Sequence, residues 1–378
     1  MKSYLTLDDV EVEGLRVLVR SDLNVPLEET QVGDDFRIRS ALPTLERLVE
    51  AGAAVTVCSH LGRPRGTDPA FSLAPVAERM AEMTRYDVRF KSPGDITVLE
   101  NTRFLDGETS NDTGTAEILA RGFDLFVQDA FGSVHRAHAS TVGVAQLVKS
   151  VAGPLLDAEL KALSRLLRDT DRPFTVVLGG AKVADKLGVV RELLPRVDRL
   201  LIGGGMCFTF LAAKGLKVGQ SLFQDDMVDV VGRLMRGPHG RKIILPVDVA
   251  VGDEFAEDTP RHVVGVYDIP EQSIGLDIGP GTSAGFRELI ESAASVFWNG
   301  PMGVFEWKSF RYGTDHVARA LAACQGFTAV GGGDTVAALR LLGLEDTVSH
   351  ISTGGGASLE LLEGKILPGV AVLERWVR

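Results

Sequence analysis

The sequence predicts an α/β protein with two domains, each built on a parallel sheet, and a long helix that joins them. Short apolar segments alternate with helical segments in both halves of the chain, which is typical of β-α-β units. The alternation stops at Ala152-Gly153-Pro154 and resumes after Asp169-Thr170-Asp171-Arg172-Pro173. Between these breaks, helical spacing of leucines over residues 155–167 predicts the connecting helix. The side of this helix expected to be buried carries Leu156, Leu160, Leu163 and Leu167.

The composition is that of a globular protein with room for more than one core. A chain of 378 residues suggests about two to three domains, and 45% of the residues are hydrophobic. The formal net charge of −11 argues against non-specific nucleic-acid binding. Any anionic substrate must therefore meet a local cluster of basic side chains.

The three cysteines, Cys58, Cys207 and Cys324, lie in apolar segments and form no Cys-x-x-Cys pair. Reduced, buried thiols in a cytoplasmic protein are therefore expected. Residues 1–9 lack the apolar core of a signal peptide, and no apolar run reaches the ~18 residues that a transmembrane helix needs. We expect neither a membrane nor a nucleic acid among the partners.

In the first half, four predicted strands, at residues 16–20, 53–58, 96–99 and 125–127, precede segments with basic side chains. Each such segment alone is also compatible with a solvated loop. Because the carboxyl ends of parallel strands share one edge of a sheet, the segments should converge there. Arginine suits an anion through bidentate hydrogen bonds. The predicted anion pocket consists of Arg37, His60, Arg63, Arg103 and Arg136.

Asp22 and Asn24 directly follow the first strand, and Pro26 ends regular structure there. Their position at the carboxyl edge of the sheet suits contact with a ligand. Asp and Asn are also common in ordinary turns, so both interpretations stay open for this segment.

The second half continues with strands predicted at 175–178, 199–202 and 242–248, and segments 274–282 and 296–306 repeat the strand–glycine pattern. Together they predict a second parallel sheet. The loose dinucleotide pattern at 279–284 is discounted because it contains a proline and lacks a well-placed ribose acid downstream.

Glycine pairs and triplets mark the turns of this half. Lys182 and Lys186 beside Gly179-Gly180 suggest phosphate contacts, although the chain contains no Walker A loop. Two interpretations explain the triplet 203–205 equally well: a backbone surface against which a flat nucleotide base lies, or a helix packed tightly on a strand.

Two further triplets, 331–333 and 354–356, each lie between a predicted strand and a predicted helix, at 335–342 and 357–362. Helix N-termini favour anions, so two triplets in successive units favour phosphate binding over simple tight turns. Asp334 adds a carboxylate suited to Mg²⁺ that accompanies a nucleotide phosphate.

In this order, the motifs resemble those of phosphoglycerate kinases from end to end of the chain. The segments that carry the resemblance are Asp22-Leu23-Asn24-Val25-Pro26, Arg37-Ile38-Arg39, His60-Leu61-Gly62-Arg63-Pro64, Glu100-Asn101-Thr102-Arg103-Phe104, 129–138, 179–186, 203–210, 245–248, 298–307, 331–335 and 352–359.

The resemblance implies reversible phosphoryl transfer from 1,3-bisphosphoglycerate to MgADP, which gives 3-phosphoglycerate and MgATP. It implies a cytoplasmic monomer of two Rossmann-like three-layer domains with a cleft between them, and direct in-line transfer after hinge closure. The expected segments are a phosphoglycerate-binding domain, an interdomain helix, a nucleotide-binding domain and a returning tail, at 1–153, 154–170, 171–364 and 365–378.

The resemblance also assigns the site residues. Phosphoglycerate is expected to contact Asp22, Leu23, Asn24, Arg37, His60, Leu61, Gly62, Arg63, Arg103 and Arg136. The nucleotide is expected to contact Lys182, Lys186, Gly203, Gly204, Asn299, Glu306, Gly332, Gly333, Asp334 and Thr335, with Asp334 on the Mg²⁺ ion. The groups expected to stabilise the transition state are Arg37, Lys186, Gly354, Gly355 and Gly356.

The chain departs from the usual family pattern at Ser21, at Ser133-Val134 and at Cys207. None of these changes removes a charged or metal-binding group, so they leave the expected activity in place and affect local packing. Two rival functions are a nicotinamide-dependent oxidoreductase, which a poor dinucleotide pattern disfavours, and a non-catalytic binding protein, which the intact Arg37, Lys186 and Asp334 disfavour.

Overall fold

The computed structural model describes residues 4–28, 31–168 and 170–377. Asp169, in the break predicted after the connecting helix, and residues 1–3 of the N-terminal segment lie outside the described residues. The chain divides into two units, Met1–Lys161 with Lys365–Arg378, and Ala162–Gly364.

The first unit is organised around a parallel sheet. Its strands are β1 (Arg16–Ser21), β2 (Leu27–Glu28), β3 (Gln31–Val32), β4 (Ala54–Cys58), β5 (Val88–Phe90), β6 (Ile96–Val98), β7 (Leu125–Asp129) and β8 (Ser150–Ala152). Six of them form the parallel sheet, in the order β5-β6-β4-β1-β7-β8, and β2 and β3 form a short antiparallel hairpin. The carboxyl ends of β1, β4, β6 and β7 therefore share one edge, as the sequence predicts.

Helices cover the apolar side chains of this sheet. They are α1 (Phe36–Glu50), α2 (Ala74–Met83), α3 (Thr113–Ala120), α4 (Val144–Leu147) and α5 (Pro154–Arg168). Val19 of β1, Val57 of β4 and Leu45 of α1 are fully buried in one core. Burying each such side chain stabilises the fold by roughly 1.5–3 kcal/mol.

Helix α5 is the predicted connecting helix. It begins at Pro154, and the missing N–H of proline breaks no hydrogen bond there, because the first N–H of a helix has no partner within the helix. The carboxylate of Asp129, at the end of β7, accepts hydrogen bonds from Leu156 N (3.0 Å) and Thr44 Oγ1 (2.5 Å), which ties the helix start to the first sheet. Of the leucines expected to be buried, only Leu167 is half-exposed, because Leu166 fills the last turn instead.

The second unit contains β9 (Phe174–Leu178), β10 (Arg199–Ile202), β11 (Ile243–Ile244), β12 (Asp248–Gly252), β13 (His262–Gly265), β14 (Ile274–Ile278), β15 (Ser295–Asn299), β16 (Phe327–Gly331) and β17 (His350–Ile351). Its helices are α6 (Leu187–Leu193), α7 (Met206–Ala213), α8 (Asp225–Arg236), α9 (Pro280–Glu291), α10 (Tyr312–Ala323), α11 (Gly333–Leu341) and α12 (Gly356–Leu362). Six strands form a parallel sheet in the order β11-β10-β9-β15-β16-β17. The predicted α/β class with two parallel sheets is confirmed.

A separate antiparallel sheet, in the order β13-β12-β14, corrects two predictions. The single strand predicted at 242–248 is wrong, because β11 ends at Ile244 and Pro246, which has no N–H for a sheet ladder, separates it from β12. The strand within 274–282 joins this antiparallel sheet and not the parallel one. Asp248, the first residue of β12, ties this sheet to the start of α9. Its carboxylate accepts hydrogen bonds from Gly281 N (2.8 Å) and Thr282 N (2.7 Å).

The end of the chain returns to the first unit through a short helix, α13 (Pro368–Ala371). Gly369 N donates to Val134 O (2.9 Å), and Trp376 Nε1 donates to Ala145 O (2.8 Å). Within the described ranges, no helix combines the length and apolar character needed to cross a bilayer.

Candidate active site

On the first unit, basic side chains gather at the carboxyl edge of the sheet. Burial, followed by the charges of Arg20, Arg103, Arg136 and Arg37, holds the pKa of His60 well below its usual value, so the ring is neutral near pH 7. Arg20 Nη2 lies 2.9 Å from His60 Nδ1. Because a guanidinium can only donate, Nδ1 is the acceptor and the ring carries its proton on Nε2. His60 is therefore a neutral hydrogen-bond donor among cations.

Arg37 is held at this edge by the turn after β1. Its Nη1 donates to Asn24 O (2.7 Å) and to Asp22 Oδ1 (3.2 Å). Asn24 Oδ1 in turn accepts from Gly62 N (2.8 Å), which joins the turn after β1 to the turn after β4. Asp22 and Asn24 thus hold the arginine in place as well as forming the turn.

Leu23 and Leu61, which the resemblance places in the substrate site, have buried side chains. Leu23 N donates to Ser59 Oγ (2.9 Å), and Leu61 N donates to the side chain of Asn101 (3.2 Å). Both leucines are almost entirely buried, backbone included, so they support the site from the core.

The remaining predicted cations follow β4, β6 and β7. Arg103 donates to Gly62 O, and Arg136 Nε donates to His135 Nε2 (3.0 Å), whereas the Arg63 side chain is exposed. Burial and the like charges of Arg136, Arg20 and Arg63 lower the pKa of Arg103. In the described part of the chain, Arg103 Nε is buried without a hydrogen-bond partner. Like charges held together in this way attract an anion strongly.

The sequence analysis missed Arg20. Its side chain is fully buried on β1, although it is the last residue of the strand predicted at 16–20. The available signal was a charged residue directly after the buried valines and leucine of that strand, because a buried cation needs partners.

On the second unit, Lys186 lies at the carboxyl edge of the other parallel sheet. Its Nζ donates to Gly179 O (2.7 Å), after β9, and to Asn299 O (2.8 Å), at the end of β15. Burial lowers the pKa of Lys186 to about 8, against the opposing charges of Asp334 and Asp185. An ammonium group has three donors, so one remains for a ligand.

The first turn of α11 lies beside Lys186. Gly332 has φ +96° and caps the helix, and Asn299 Nδ2 donates to Gly331 O (2.8 Å). Thr335 is buried, and its Oγ1 accepts from Gly300 N (2.7 Å), so its hydroxyl joins two loops. Gly333 and Asp334 are exposed at the positive end of the helix dipole.

Close packing explains the glycine triplet after β10. Gly204 has φ +62°, and a Cβ atom there would lie 2.5 Å from Gly180 N and 2.8 Å from Pro301 O. A Cβ atom on Gly203 would lie 2.4 Å from Met302 Sδ. The loops after β9, β10 and β15 therefore meet backbone to backbone, which favours the packing interpretation of this triplet.

This packing leads to a stability prediction with an internal control. Gly215→Ala should cost about 1–2 kcal/mol, because Gly215 also has a positive φ (+81°) but no atom within 4 Å of a new Cβ. Gly204→Ala adds a backbone collision to the same strain and should cost on the order of 3–4 kcal/mol. Denaturant unfolding of both variants measures the difference, and equal losses would contradict the close-packing explanation.

The other predicted residues are placed as follows. Gly355 has φ +48° and precedes α12, Ser358 Oγ donates to Gly355 O (2.7 Å), and Gly354 N donates to Ser352 Oγ (3.2 Å). Lys182 and Glu306 have exposed side chains on loops. Hydrogen bonds thus connect Lys186, Asn299 and residues 331–335. Within the described residues, no hydrogen bond joins Lys182 or Glu306 to that group.

Comparisons with known proteins place the whole chain beside one family. The sequence profile of a family described as phosphoglycerate kinase matches residues 7–365. A phosphoglycerate kinase of Salinispora arenicola is 53% identical over 395 residues, which cover 98% of this chain and 99% of that protein. The structure of phosphoglycerate kinase from Coxiella burnetii superposes with a TM-score of 0.91 at 40% identity, covering 99% of this chain and 100% of that one. The enzyme from Pyrococcus horikoshii gives 0.86 at 30% identity, covering 98% and 99%.

Proposed function

The chain belongs to the phosphoglycerate kinase family, and we propose how its two units divide the reaction of that family between them. The reaction is glycolytic: a phosphoryl group passes reversibly from 1,3-bisphosphoglycerate to ADP, giving 3-phosphoglycerate and ATP. The enzyme is therefore a phosphotransferase, as the sequence analysis expects.

The observation that carries the proposal is the difference between the two sheet edges. The edge of the first unit holds several guanidinium groups around a neutral histidine, which suits a small molecule bearing phosphate and carboxylate. We assign phosphoglycerate to the side chains of Asp22, Asn24, Arg37, His60, Arg63, Arg103 and Arg136, with Leu23, Leu61 and Gly62 in the turns that support them.

The edge of the second unit combines an ammonium group, a helix N-terminus and a free carboxylate, which suits a nucleotide phosphate chain and its metal ion. We assign the nucleotide to Lys182, Lys186, Gly203, Gly204, Asn299, Glu306, Gly332, Gly333, Asp334 and Thr335. The two substrates thus belong to different units, and transfer requires a closed conformation, reached about α5, in which they meet in line.

Phosphoryl transfer depends on positioning and on stabilising the charge of the transferred oxygens more than on covalent chemistry. Arg37 offers its remaining guanidinium donors and Lys186 its third ammonium proton. Gly355 and Gly356 offer backbone N–H groups at the start of α12, and Gly354, whose N–H donates to Ser352 Oγ, holds the turn before them. Each of these groups can stabilise negative charge on the transferred oxygens.

Asp334 fits the role of a magnesium ligand. Its carboxylate is exposed and has no hydrogen-bond or ion-pair partner among the described residues. The same residues contain no group of three or more His, Cys, Asp or Glu side chains that would hold a metal alone. A single carboxylate is what Mg²⁺ uses when nucleotide phosphates and water complete its octahedron. The bound ion would neutralise phosphate charge.

Asp334→Asn should weaken MgADP binding by at least about tenfold, because the metal loses its protein ligand. Binding of ADP in the presence of a chelator should be unchanged or tighter, because a negative charge beside the phosphates is gone. Calorimetric titrations measure both. The matched control is Asp346→Asn, an exposed acid in a nearby turn. Equal losses of affinity with and without magnesium would remove Asp334 from the metal site.

A coupled turnover assay with 3-phosphoglycerate and MgATP tests the activity itself. Product formation that requires both substrates is the expected result. A protein that binds both without turnover would be a non-catalytic relative, and saturable binding of a nicotinamide dinucleotide would favour the oxidoreductase alternative.

The proposal also includes a monomeric, cytoplasmic enzyme. All three cysteines are free thiols; Cys58 and Cys207 are buried as expected, whereas Cys324 is only half-buried. Burial raises the pKa of Cys58 to about 12 and also raises the pKa of Cys207. Buried thiols of this kind are unreactive and typical of a reducing compartment.

A further inference from the structure

A fully buried cation lies beneath the predicted anion pocket, and no carboxylate among the described residues contacts it. The Arg20 side chain has no exposed surface. Its hydrogen-bond partners in the described ranges are all neutral: Ser140 Oγ (2.9 Å from Nε), Ser21 O (2.5 Å from Nη1), Ser59 Oγ (3.4 Å from Nη1) and His60 Nδ1 (2.9 Å from Nη2). A buried charge of this kind requires a nearby opposite charge.

Glu108 supplies that opposite charge, and a single hydroxyl group, that of Ser140, lies between it and Arg20. Its side chain is also fully buried. The Ser140 hydroxyl that accepts from Arg20 donates to Glu108 Oε1 (2.6 Å), and Ser140 N donates to Oε2 (3.0 Å). The chain of contacts Glu108–Ser140–Arg20–His60 therefore runs from a buried carboxylate to the histidine of the anion pocket.

A second connection leads to Arg103. Thr102 Oγ1 donates to Glu108 Oε1 (3.2 Å), and Thr102 begins the short helical turn Thr102–Phe104 that carries Arg103. Burial and the neighbouring arginines lower the pKa of Arg103, and the charge of Glu108 partly opposes that shift. His138 Nδ1 lies 3.7 Å from Glu108 Oε1, but burial keeps the pKa of His138 below its usual value. The carboxylate therefore faces a neutral ring and compensates the arginines.

We propose that Glu108 is a positioning residue of the phosphoglycerate site, whose buried carboxylate acts through Ser140 and Thr102 to hold Arg20, His60 and Arg103 in place before the substrate binds. The inference rests on the proposed assignment of phosphoglycerate to the first unit. Because the carboxylate of Glu108 compensates the charge of Arg20, the incoming anion can interact with the other guanidinium groups of the site, those of Arg37, Arg63, Arg103 and Arg136.

The test is Glu108→Gln, which keeps the shape and an acceptor but removes the charge. The Kd for 3-phosphoglycerate, measured by calorimetry on the protein alone, should rise about tenfold, because the arginines lose the charge that orders them. KM for 3-phosphoglycerate should rise with it, kcat should fall less, and KM for MgATP should stay unchanged. In ¹⁵N spectra, the His60 ring resonances should shift.

The matched control is Asp112→Asn, which removes a carboxylate four residues away that caps α3 through Thr115 N (2.8 Å) and has no contact with the arginines. It should leave the Kd and the His60 resonances unchanged. Lower thermal stability of Glu108→Gln with an unchanged Kd would overturn the proposal, since a purely structural role predicts that result. If Glu108→Gln does not fold, Ser140→Ala decides, because it keeps the carboxylate and cuts the link to Arg20; an unchanged Kd again overturns the proposal.

Arg103→Ala separates this inference from the site assignment on which it rests. If Arg103→Ala weakens 3-phosphoglycerate binding and Glu108→Gln does not, only the positioning role fails. If neither variant weakens it, phosphoglycerate does not bind at this sheet edge, and both the assignment and the role of Glu108 are overturned.

Discussion

Replacing Arg37 with alanine should lower kcat on the order of 10²–10³-fold, which is the usual cost of removing one preorganised charge donor from a transition state. Within the described residues, Nη1 alone makes hydrogen bonds, to Asn24 O and Asp22 Oδ1, and these bonds fix the direction of the side chain. The rest of the guanidinium group is left for the transferred phosphoryl group. Steady-state kinetics in both directions, with KM and kcat measured separately, give the result.

Arg39→Ala is the control, because Arg39 lies two residues further along α1 and its exposed side chain pairs with Asp35 (2.7 Å). It should change kcat by less than about twofold. The affinity of Arg37→Ala for MgADP should also stay near that of the parent, because Arg37 belongs to the first unit. A kcat near the parent value, or a lost MgADP affinity, would show that Arg37 has another role.

The parts of the site that follow from general rules were predictable from sequence. Parallel strands place their carboxyl ends at one edge, so basic residues after β4, β6 and β7 had to converge there. That rule uses only the alternation of strands and helices along the chain and the positions of charged side chains, both of which are visible in a sequence. It therefore predicted that His60, Arg63, Arg103 and Arg136 lie at this edge, and helix spacing predicted α5.

The parts that depend on long-range contacts were not predictable in the same way. Glu108 lies in a loop whose sequence resembles any polar loop, and only its contact with Ser140, 32 residues away, gives it significance. The antiparallel sheet β13-β12-β14 was missed because an apolar strand shows its length and burial, but not its partner or direction. Gly204 could be interpreted in two ways until the distance to Gly180 was known.

Replacing Lys186 with methionine should also lower kcat on the order of 10²–10³-fold, because a similar apolar stem remains while the ammonium donor is lost. Lys186 Nζ is anchored on the carbonyl oxygens at the ends of β9 and β15, so it is positioned before the nucleotide binds. Lys217→Met is the control, since Lys217 is exposed and pairs with Glu271 (2.8 Å). It should leave kcat unchanged.

The pH dependence gives the same lysine a second, independent test. Burial lowers its pKa to about 8 in the free enzyme, and only the protonated form can donate to a phosphate. The kcat/KM for MgADP should therefore be flat below pH 7 and fall as the pH rises through about 8, because this ratio reports the free enzyme. In the complex, the phosphate charge raises the pKa of Lys186, so the fall in kcat should appear at higher pH. The residual activity of Lys186→Met should lack this alkaline limb. If the variant keeps it, a group other than Lys186 titrates there, and the loss of kcat alone would not establish the ammonium as the donor.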